Sequence, residues 1–328
     1  MRRKLSDYPK GVVRRIKRQQ VAKHNQMVLE KYKGQDIYYV MRPNIEECGL
    51  ATTIRCVLSH AKYAAENGYH LVMDYQNRKN PYLMPEEVGK VNAWEYYFHQ
   101  PCEVSLSDIA GADNVIVTEE NQLPICPTDS MEFYTNACCV AYWRDIYRKY
   151  IRLSGEAQAF VEKQRQLIFK DTTEKVLGCI VRGTDYIQGR PLNHPVQPLP
   201  EDVLKKAEEV MAQKGYGKLF LATEDANVLK LFQERLGDKL LYVEQQRYED
   251  GKTPLALQDN FAKETSPKEE GMKYLAVIYL LGGCDALIGG RCGITTIAYL
   301  ISSGFEYEYL WNLGRYQTDD YCLPERYL

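Results

Sequence analysis

The sequence lacks the features of a membrane-spanning or disulfide-linked protein. No uninterrupted apolar run approaches the roughly 18 residues of a transmembrane helix. The ten cysteines are scattered and include no Cys-x-x-Cys pair, and several lie in apolar segments, where free thiols behave as small buried hydrophobic groups. Since the chain also shows no signal peptide, this cysteine usage predicts a reducing compartment and hence a cytoplasmic protein.

A strong net charge is also absent. The formal charge of −2 gives no overall attraction to nucleic acid, so we expect no nucleic-acid partner. A hydrophobic content of 45% and a charged content of 26% are typical of a soluble protein with sizeable cores. Because 328 residues exceed the usual size of one domain, we predict two domains, residues 1–170 and residues 171–328.

Basic residues are concentrated at the N-terminus. Residues 1–33 contain eleven Lys or Arg against two acidic residues, with at most a thin apolar stripe. We interpret this segment first as a solvated basic helix. Peripheral contact with anionic lipid headgroups at the inner face of a membrane is the second interpretation. Nucleic-acid binding is the third, because aromatic side chains for base stacking are scarce there.

The first half opens with a strand, a glycine turn, a helix and a second strand. Residues 37–41 and 71–74 are predicted as strands, and residues 51–67 as a helix with one apolar face. Gly49 precedes the helix, but the full G-x-G-x-x-G pattern is missing, so we expect no dinucleotide cofactor. A further strand is predicted at 115–117, and helices at 141–152 and 156–169.

One apolar run in the second half ends abruptly in polar residues. Residues 175–181 have the composition of a buried parallel strand, and Arg182, Gly183, Thr184 and Asp185 follow. Open α/β sheets bind ligands at the carboxyl ends of their strands. Arg182 is therefore our first candidate for an anion contact, since a guanidinium suits phosphate and Gly183 would let a ligand approach the backbone. A turn salt bridge between Arg182 and Asp185 is the alternative.

Two further apolar segments of this half end in the same way. Residues 218–225 and 284–291 are both predicted as strands with polar ends, and the second is followed by a helix start. Because the carboxyl ends of parallel strands share one rim, we predict a nucleotide pocket there. Arg182 and the N–H groups near Gly290 would bind its phosphates. Other predicted elements are helices at 200–213, 226–236 and 272–281 and a strand at 239–243.

Several of these segments resemble motifs of the superfamily that unites α1,6-fucosyltransferases and protein O-fucosyltransferases. Val181–Asp185 is similar to its first motif, His-x-Arg-Arg-x-Asp, and His194-Pro195 is similar to a His-Pro shortly downstream. Residues 221–225 resemble its Ala-Thr-Asp-Asp motif. The resemblance covers most of the chain and extends to residues 285–299, to the glycine loop at 47–50 and to the aromatic segment at 92–98.

The chain departs from those motifs at three places. Ile180 stands where the family's histidine would be, and Gly183 where its second arginine would be. Cys292-Gly293 replaces the usual Ser-Ser. Arg182, which the family uses on the β-phosphate, is retained. A donor with a different 6-deoxyhexose is therefore kept as an alternative.

The resemblance implies a GT-B-type α/β fold, in which two Rossmann-like domains with mostly parallel sheets face a cleft. It also implies GDP-fucose as donor and a glycan, which could be lipid-linked, as acceptor. On this basis Gly49 and Trp94 are assigned to the acceptor side. The predicted donor-binding residues are Arg182, Gly183, Asp185, His194, Thr223, Glu224, Asp225, Gly290, Arg291, Thr295 and Thr296.

The predicted chemistry follows from the leaving group. Glycosyl transfer from a nucleoside diphosphate builds negative charge on the departing diphosphate, which many glycosyltransferases neutralise with a metal held by Asp-x-Asp. No Asp-x-Asp occurs at a strand end here, so we expect Arg182 to take the place of the metal and no cofactor to be needed. Inversion requires a base on the acceptor hydroxyl. Asp74 and Glu95 are the candidates, with a structural role as the alternative for each.

Simple structural roles compete for several other candidates. Asp225 could cap the helix that begins at Ala226, and Trp94 with its aromatic neighbours could pack in the core or between the domains. His194 could pack in its loop, and Arg291 could be a surface cation. Two functions follow from the sequence: an inverting fucosyltransferase, or a non-catalytic protein of the same fold that binds nucleotide sugars or glycans.

Overall fold

The computed structural model describes residues 10–44, 48–170, 172–249 and 266–317, without the side chains of residues 10–14, 184, 185 and 188. Two β-sheets lie in these residues, one in each half of the chain. Among the described helices, none combines the length and the apolar composition that a bilayer crossing requires.

The first sheet has three parallel strands in the order β2–β1–β3. The strands are β1 (Tyr38–Met41), β2 (His70–Met73) and β3 (Val115–Thr118). Helix α2 (Leu50–Asn67) connects β1 to β2 and ends at Gly68, whose φ of 69° is the left-handed conformation that a glycine adopts without a steric penalty.

The two faces of this sheet are covered differently. Side chains alternate along a strand, so Tyr39 and Met41 point to one face and Val40 to the other. Tyr39 and Met41 pack in the main core together with α2 residues such as Ile54. Val40 belongs to a much smaller apolar cluster with Val72 and Ile109. The second face therefore has little apolar cover.

The second sheet has five parallel strands in the order β6–β5–β4–β7–β8. They are β4 (Val176–Ile180), β5 (Lys218–Ala222), β6 (Leu240–Leu241), β7 (Ala286–Gly289) and β8 (Tyr307–Leu310). Strand β4, the first in chain order, is central, so the winding of the sheet reverses between β4 and β7. Such a switch point leaves a crevice at the carboxyl ends of the two strands, where open α/β sheets bind ligands.

The remaining helices include several that begin at a residue whose side chain caps the first turn by a hydrogen bond. Ser266 and Glu269 form a capping box at the start of α10, with Pro267 in its first turn. The remaining helices are α1 (Lys10–Lys31), α3 (Trp94–Tyr97), α4 (Met131–Thr135), α5 (Ala137–Tyr150), α6 (Gly155–Phe169), α7 (Thr184–Gly189), α8 (Pro200–Lys214), α9 (Ala226–Leu236), α10 (Pro267–Gly282) and α11 (Gly293–Ile301).

Helix α10 joins the two halves of the molecule. It packs against α2, α3 and α6 of the first half and against α11, β4 and β5 of the second. The hydroxyl of Tyr97 donates to the carbonyl of Lys268 at 3.2 Å, and its ring occupies the space that Gly271 leaves by having no side chain. Trp94 is 1% exposed, so the alternative that the aromatic segment packs in the core is confirmed. One continuous core therefore contains residues of both sheets.

The predicted α/β class with parallel sheets is confirmed, but several boundaries differ. The strands expected to run to Asp225 and Arg291 end at Ala222 and Gly289, so the polar residues lie in the loops that follow. Helix α7 and strand β8 were not predicted, and β6 has two residues instead of five. The domain boundary at residue 170 stays a prediction.

The side chain of Asn25 on α1 closes the free edge of β3. Its Nδ2 donates to the carbonyl of Val117 at 2.8 Å, and its Oδ1 accepts from the N–H of Val117 at 3.0 Å. Asn25→Ala should lower the free energy of unfolding by about 1–2 kcal/mol, because two backbone groups lose their partners. Exposed Gln26, which bonds only to Glu30 of the same helix, gives the control Gln26→Ala. Urea denaturation measures both, and equal losses would contradict the edge-closing role.

Candidate active site

Arg182 lies directly after β4, at the switch point of the second sheet. Its side chain is 13% exposed, and its Nε lies 3.0 Å from Oε1 of Glu224, which follows β5. Its Cζ lies 4.6 Å from the centre of the Tyr186 ring. The same Glu224 oxygen accepts from the N–H of Gly183 at 3.3 Å. A carboxylate and an aromatic ring thus hold the guanidinium at the predicted anion contact, whereas the side chain of Asp185 lies outside the described residues.

The N-termini of two helices lie close together after β7, the strand that pairs with β4. Cys292 precedes α11, and its side chain does not cap the helix by a hydrogen bond. Burial raises the pKa of the Cys292 thiol and the positive charge of Arg182 opposes this shift, and the two residues follow the paired strand ends Ile180 and Gly289. Helix α2 begins at Gly49, also without a side-chain cap, and a Cβ on Gly293 would lie 3.4 Å from that of Ala51. The partial positive charge of the α11 N-terminus therefore lies on the same rim of the sheet as the guanidinium, and the N-terminus of α2 lies beside that of α11.

Tyr274 of α10 lies next to the same group of residues. Burial raises the pKa of its phenol, again with the charge of Arg182 opposing the shift. Its hydroxyl would lie 3.9 Å from a Cβ on Gly49. Two open cavities, of about 1060 and about 620 Å³, lie elsewhere, and Arg182 lines neither. The guanidinium is thus covered by side chains of the protein itself.

The glycines at the strand ends make room for protein groups. A Cβ on Gly183 would overlap the side chain of Asp225, and a Cβ on Gly290 would overlap the amide of Gln197. Gly289 has a φ of 136°, and a Cβ there would overlap the carbonyl of Ile180. Asp225 therefore fills the space beside Gly183 that was predicted for a ligand.

Two of the predicted donor-binding residues after β5 make local contacts. Oδ1 of Asp225 accepts from the N–H groups of Asn227 at 2.8 Å and Val228 at 3.2 Å, so the capping role is confirmed. Thr223 is 3% exposed, and its Oγ1 accepts from the N–H of Asp225 at 3.2 Å. A nucleotide contact stays a prediction for both.

The predicted phosphate-binding hydroxyls of α11 are buried. Thr295 donates to the carbonyl of Gly290 at 2.7 Å, and Thr296 lies 2.9 Å from the hydroxyl of Tyr134. Both threonines are 0% exposed, so their contact with a phosphate stays a prediction. His194 is exposed, and its Nδ1 lies 3.0 Å from the hydroxyl of Tyr186, the ring that packs on Arg182. His194 is therefore connected to the guanidinium through one side chain.

Both predicted bases lie near the carboxyl end of β2, in the first half. Asp74 has a fully buried side chain, whose Oδ2 lies 2.6 Å from Nε of Arg42 and whose Oδ1 accepts two N–H groups of the following turn. Glu95 is exposed, and its Oε1 accepts from Gln100 at 2.8 Å and from Asn92 at 3.4 Å. The contacts of Asp74 are those of a structural carboxylate, while Glu95 keeps one oxygen for other partners.

Asp129 lies among three arginines that no local sequence pattern groups together. Its Oδ1 lies 2.6 Å from Nη2 of Arg315 and its Oδ2 lies 3.5 Å from Nη1 of Arg55, while its carbonyl accepts from Arg291 at 3.3 Å. Arg291 is 3% exposed and burial lowers its pKa, so the alternative of a surface cation is wrong. Arg55 belongs to α2 and the other two arginines to the second half, so this Asp129 cluster links the halves.

Asp129→Asn should lower the free energy of unfolding by about 2–3 kcal/mol, because largely buried guanidinium groups lose their carboxylate. Asp145→Asn is the control, since Asp145 is exposed on α5 and forms no ion pair with the described residues. It should change the free energy by less than about 0.5 kcal/mol. Urea denaturation followed by tryptophan fluorescence measures both variants. A loss no larger than that of Asp145→Asn would show that the Asp129 cluster does not stabilise the fold.

Comparison with known proteins gives matches among solved structures only. No family model and no curated protein sequence matches the chain. The fucosyltransferase NodZ from Bradyrhizobium is 16% identical, with a TM-score of 0.50 over 81% of this chain and 94% of NodZ. The apo form of POFUT1 is 10% identical, with a TM-score of 0.51 over 83% of this chain and 97% of POFUT1.

A third match is a variant of Arabidopsis thaliana FUT1 in complex with GDP. It is 11% identical, with a TM-score of 0.51 over 96% of this chain and 82% of FUT1. At such identities the likeness is one of fold, and it agrees with the fold predicted from the sequence motifs. This chain therefore shares its α/β fold with the fucosyltransferase NodZ, with POFUT1 and with FUT1.

Proposed function

We propose that this protein is a metal-independent, inverting glycosyltransferase that moves L-fucose from GDP-fucose to a glycan hydroxyl. One observation carries the proposal: Arg182 and the uncapped N-terminus of α11 follow the adjacent strands β4 and β7, between which the winding of the second sheet reverses. A crevice with such positive groups suits a nucleoside diphosphate. The shared fold with NodZ, which is named a fucosyltransferase, and with FUT1, which was solved with GDP, supports this donor.

The chemistry of the proposed reaction depends on stabilising the departing GDP. Negative charge grows on the diphosphate as the bond to the sugar breaks, and fixed positive groups aimed at that charge lower the barrier. Arg182 supplies a permanent charge, and the first N–H groups of α11 supply aligned dipoles. The chain contains no Asp-x-Asp, the usual metal-binding pattern of such enzymes, which supports a metal-independent reaction.

Glu224 competes with the donor for Arg182 in this proposal. The carboxylate must leave the guanidinium when the diphosphate binds, and a diphosphate can displace it because it carries more negative charge and accepts two parallel hydrogen bonds. Glu224 could then accept hydrogen bonds from the base or the sugar of the donor.

The Arg182–Glu224 pair also favours the second candidate function. If the pair stays closed in the presence of donor, the protein binds nucleotide sugars or glycans without catalysis. A transferase that uses another 6-deoxyhexose donor differs from the main proposal only in the sugar contacts.

Glu95 is the better of the two predicted bases. A base must reach the acceptor hydroxyl in its ionised form. Asp74 is fully buried and paired with Arg42, so its carboxylate serves to fix the turn after β2. Glu95 is exposed, and within the described residues both hydrogen bonds of its side chain go to Oε1, which leaves Oε2 available for a hydroxyl proton.

Replacing Arg182 tests the proposal directly. Arg182→Ala should reduce fucosyl transfer by at least about 100-fold, the scale of a lost oxyanion-type donor, while EDTA should change the rate little. Arg235→Ala is the matched control, because Arg235 also pairs with a glutamate, Glu208 at 2.8 Å, but is exposed on α9. The measurement is transfer of radiolabelled fucose, together with thermal unfolding to confirm that both variants fold.

Two outcomes would overturn this proposal. One is a strict requirement for a divalent metal, and the other is an Arg182→Ala variant as active as Arg235→Ala. Release of GDP from GDP-fucose without acceptor separates the two candidate functions. A transferase should release GDP slowly by hydrolysis, whereas a binding protein should bind GDP-fucose and release none.

Helix α1 presents a positively charged surface. From residue 15 to residue 31 only Val28 is buried, so the solvated basic helix predicted from the sequence is confirmed over this range. Exposed Arg15, Lys17, Arg18 and Lys23 give the surface a positive charge. We therefore propose that α1 rests on anionic headgroups when the acceptor is lipid-linked.

Charge reversal on α1 tests this membrane contact. Each basic residue near an anionic surface contributes about 1 kcal/mol, so Arg15→Glu, Lys17→Glu and Arg18→Glu together should weaken binding to phosphatidylserine vesicles by about 100-fold or more. Vesicles of phosphatidylcholine alone are the control and should not bind the protein. Equal flotation of the wild type and the triple variant with anionic vesicles would contradict the proposed contact.

A further inference from the structure

A cavity of about 620 Å³ lies on the face of the first sheet that α2 does not cover. Its floor is aliphatic and includes Val40, Ile109, Val115 and Val117, which belong to or pack on β1 and β3. Its rim comes from the loops after β1 and β2, from α3 and from residues 105–110. The volume falls within the roughly 300–1,000 Å³ of small-molecule sites, and an apolar floor with a few polar groups is their usual lining.

Four side chains of the rim have hydrogen-bonding atoms that no other described residue uses. These atoms are available to a ligand. The Lys90 ammonium is exposed and makes no ion pair or side-chain hydrogen bond there. Arg42 uses Nε for Asp74 and keeps its terminal N–H groups. Gln76 donates through Nε2 to a backbone carbonyl, which leaves Oε1, and Glu95 accepts only on Oε1, which leaves Oε2. The rim thus offers two groups that donate and two that accept.

This mixture of groups selects the chemical class of the ligand. A simple anion would use the two donors only, and a metal cation would use the two acceptors only. The charges also balance, since Arg42 is paired with Asp74, and Lys90 is offset by Glu95 on the same rim. A hydroxyl group both donates and accepts, so a ligand with several hydroxyls can use all four groups. The C–H groups of a sugar ring would contact the aliphatic floor.

We propose that this cavity binds one uncharged pyranose unit of the acceptor glycan. The inference that the ligand is a sugar rests on the cavity and its available polar groups. The inference that this sugar belongs to the acceptor rests on the proposed transferase function. A sugar bound there has a hydroxyl next to Oε2 of Glu95, the oxygen expected to take the acceptor proton. The cavity therefore couples acceptor recognition to the candidate base.

Binding of simple sugars to the full chain tests the cavity without the donor. The probes are methyl α-glucopyranoside, methyl α-galactopyranoside and methyl α-mannopyranoside, with glucuronate as the charged comparison, each observed by saturation-transfer NMR. Ala110→Trp fills the cavity from an exposed lining position, and Lys90→Met removes one donor. The matched controls are Ala112→Trp and Lys79→Met, since both residues are exposed nearby and neither lines the cavity.

We expect at least one neutral glycoside to bind the wild type and both controls alike, and to bind Ala110→Trp and Lys90→Met about tenfold more weakly or worse. The proposal is overturned if no neutral glycoside binds, if glucuronate binds more tightly than all three, or if Ala110→Trp binds like the wild type. Hydrolysis of GDP-fucose by the wild type tests the transferase function separately. Failure of the sugar-binding proposal can therefore be distinguished from failure of the proposed transferase function.

Discussion

The ion pair between Arg182 and Glu224 controls the chemistry available at the switch point of the second sheet. A guanidinium that is only 13% exposed would be costly without a partner, so a carboxylate from the neighbouring strand end neutralises it. A ligand must therefore outcompete Glu224 as well as find the crevice. Under the proposed function, a weakly charged anion would gain little from that exchange, whereas a diphosphate would gain two strong hydrogen bonds and the dipole of the α11 N-terminus. The Arg182–Glu224 pair would thus make the proposed site selective for ligands that carry more than one negative charge.

The loop after β4 is connected to this pair through an aromatic ring. Tyr186 on α7 packs against the guanidinium and lies within hydrogen-bond distance of His194. The loop is fixed further along by a bridge between Pro195 and Arg315, and Arg315 in turn pairs with Asp129. A series of direct contacts therefore connects Arg182 to the Asp129 cluster through this loop.

Local sequence patterns predicted the central elements of the fold and the position of Arg182, and they failed where contacts are remote. Buried runs such as Val176–Ile180 and caps such as Asp225 are encoded within a few residues, so they could be predicted. Strand β8 alternates weakly and is half-exposed, and Gly183 resembled an opening for a ligand until Asp225 proved to fill it. The Asp129 cluster joins residues as far as 186 positions apart, and no local spacing contains that information.

Two kinds of contact hold the halves together. One stabilises their association, and the other fixes their relative orientation. The continuous core around α10 stabilises association, but apolar packing is non-directional and tolerates small rotations. The Asp129 cluster and the hydroxyl of Tyr97 bond to defined atoms, so they fix the direction in which α2 faces the second sheet. Gly49 at the start of α2 lies opposite Tyr274, and the charge of Arg182 acts on the phenol of Tyr274, so that orientation sets where the N-terminus of α2 lies relative to the guanidinium. The electrostatics around Arg182 therefore depend on contacts made well away from it.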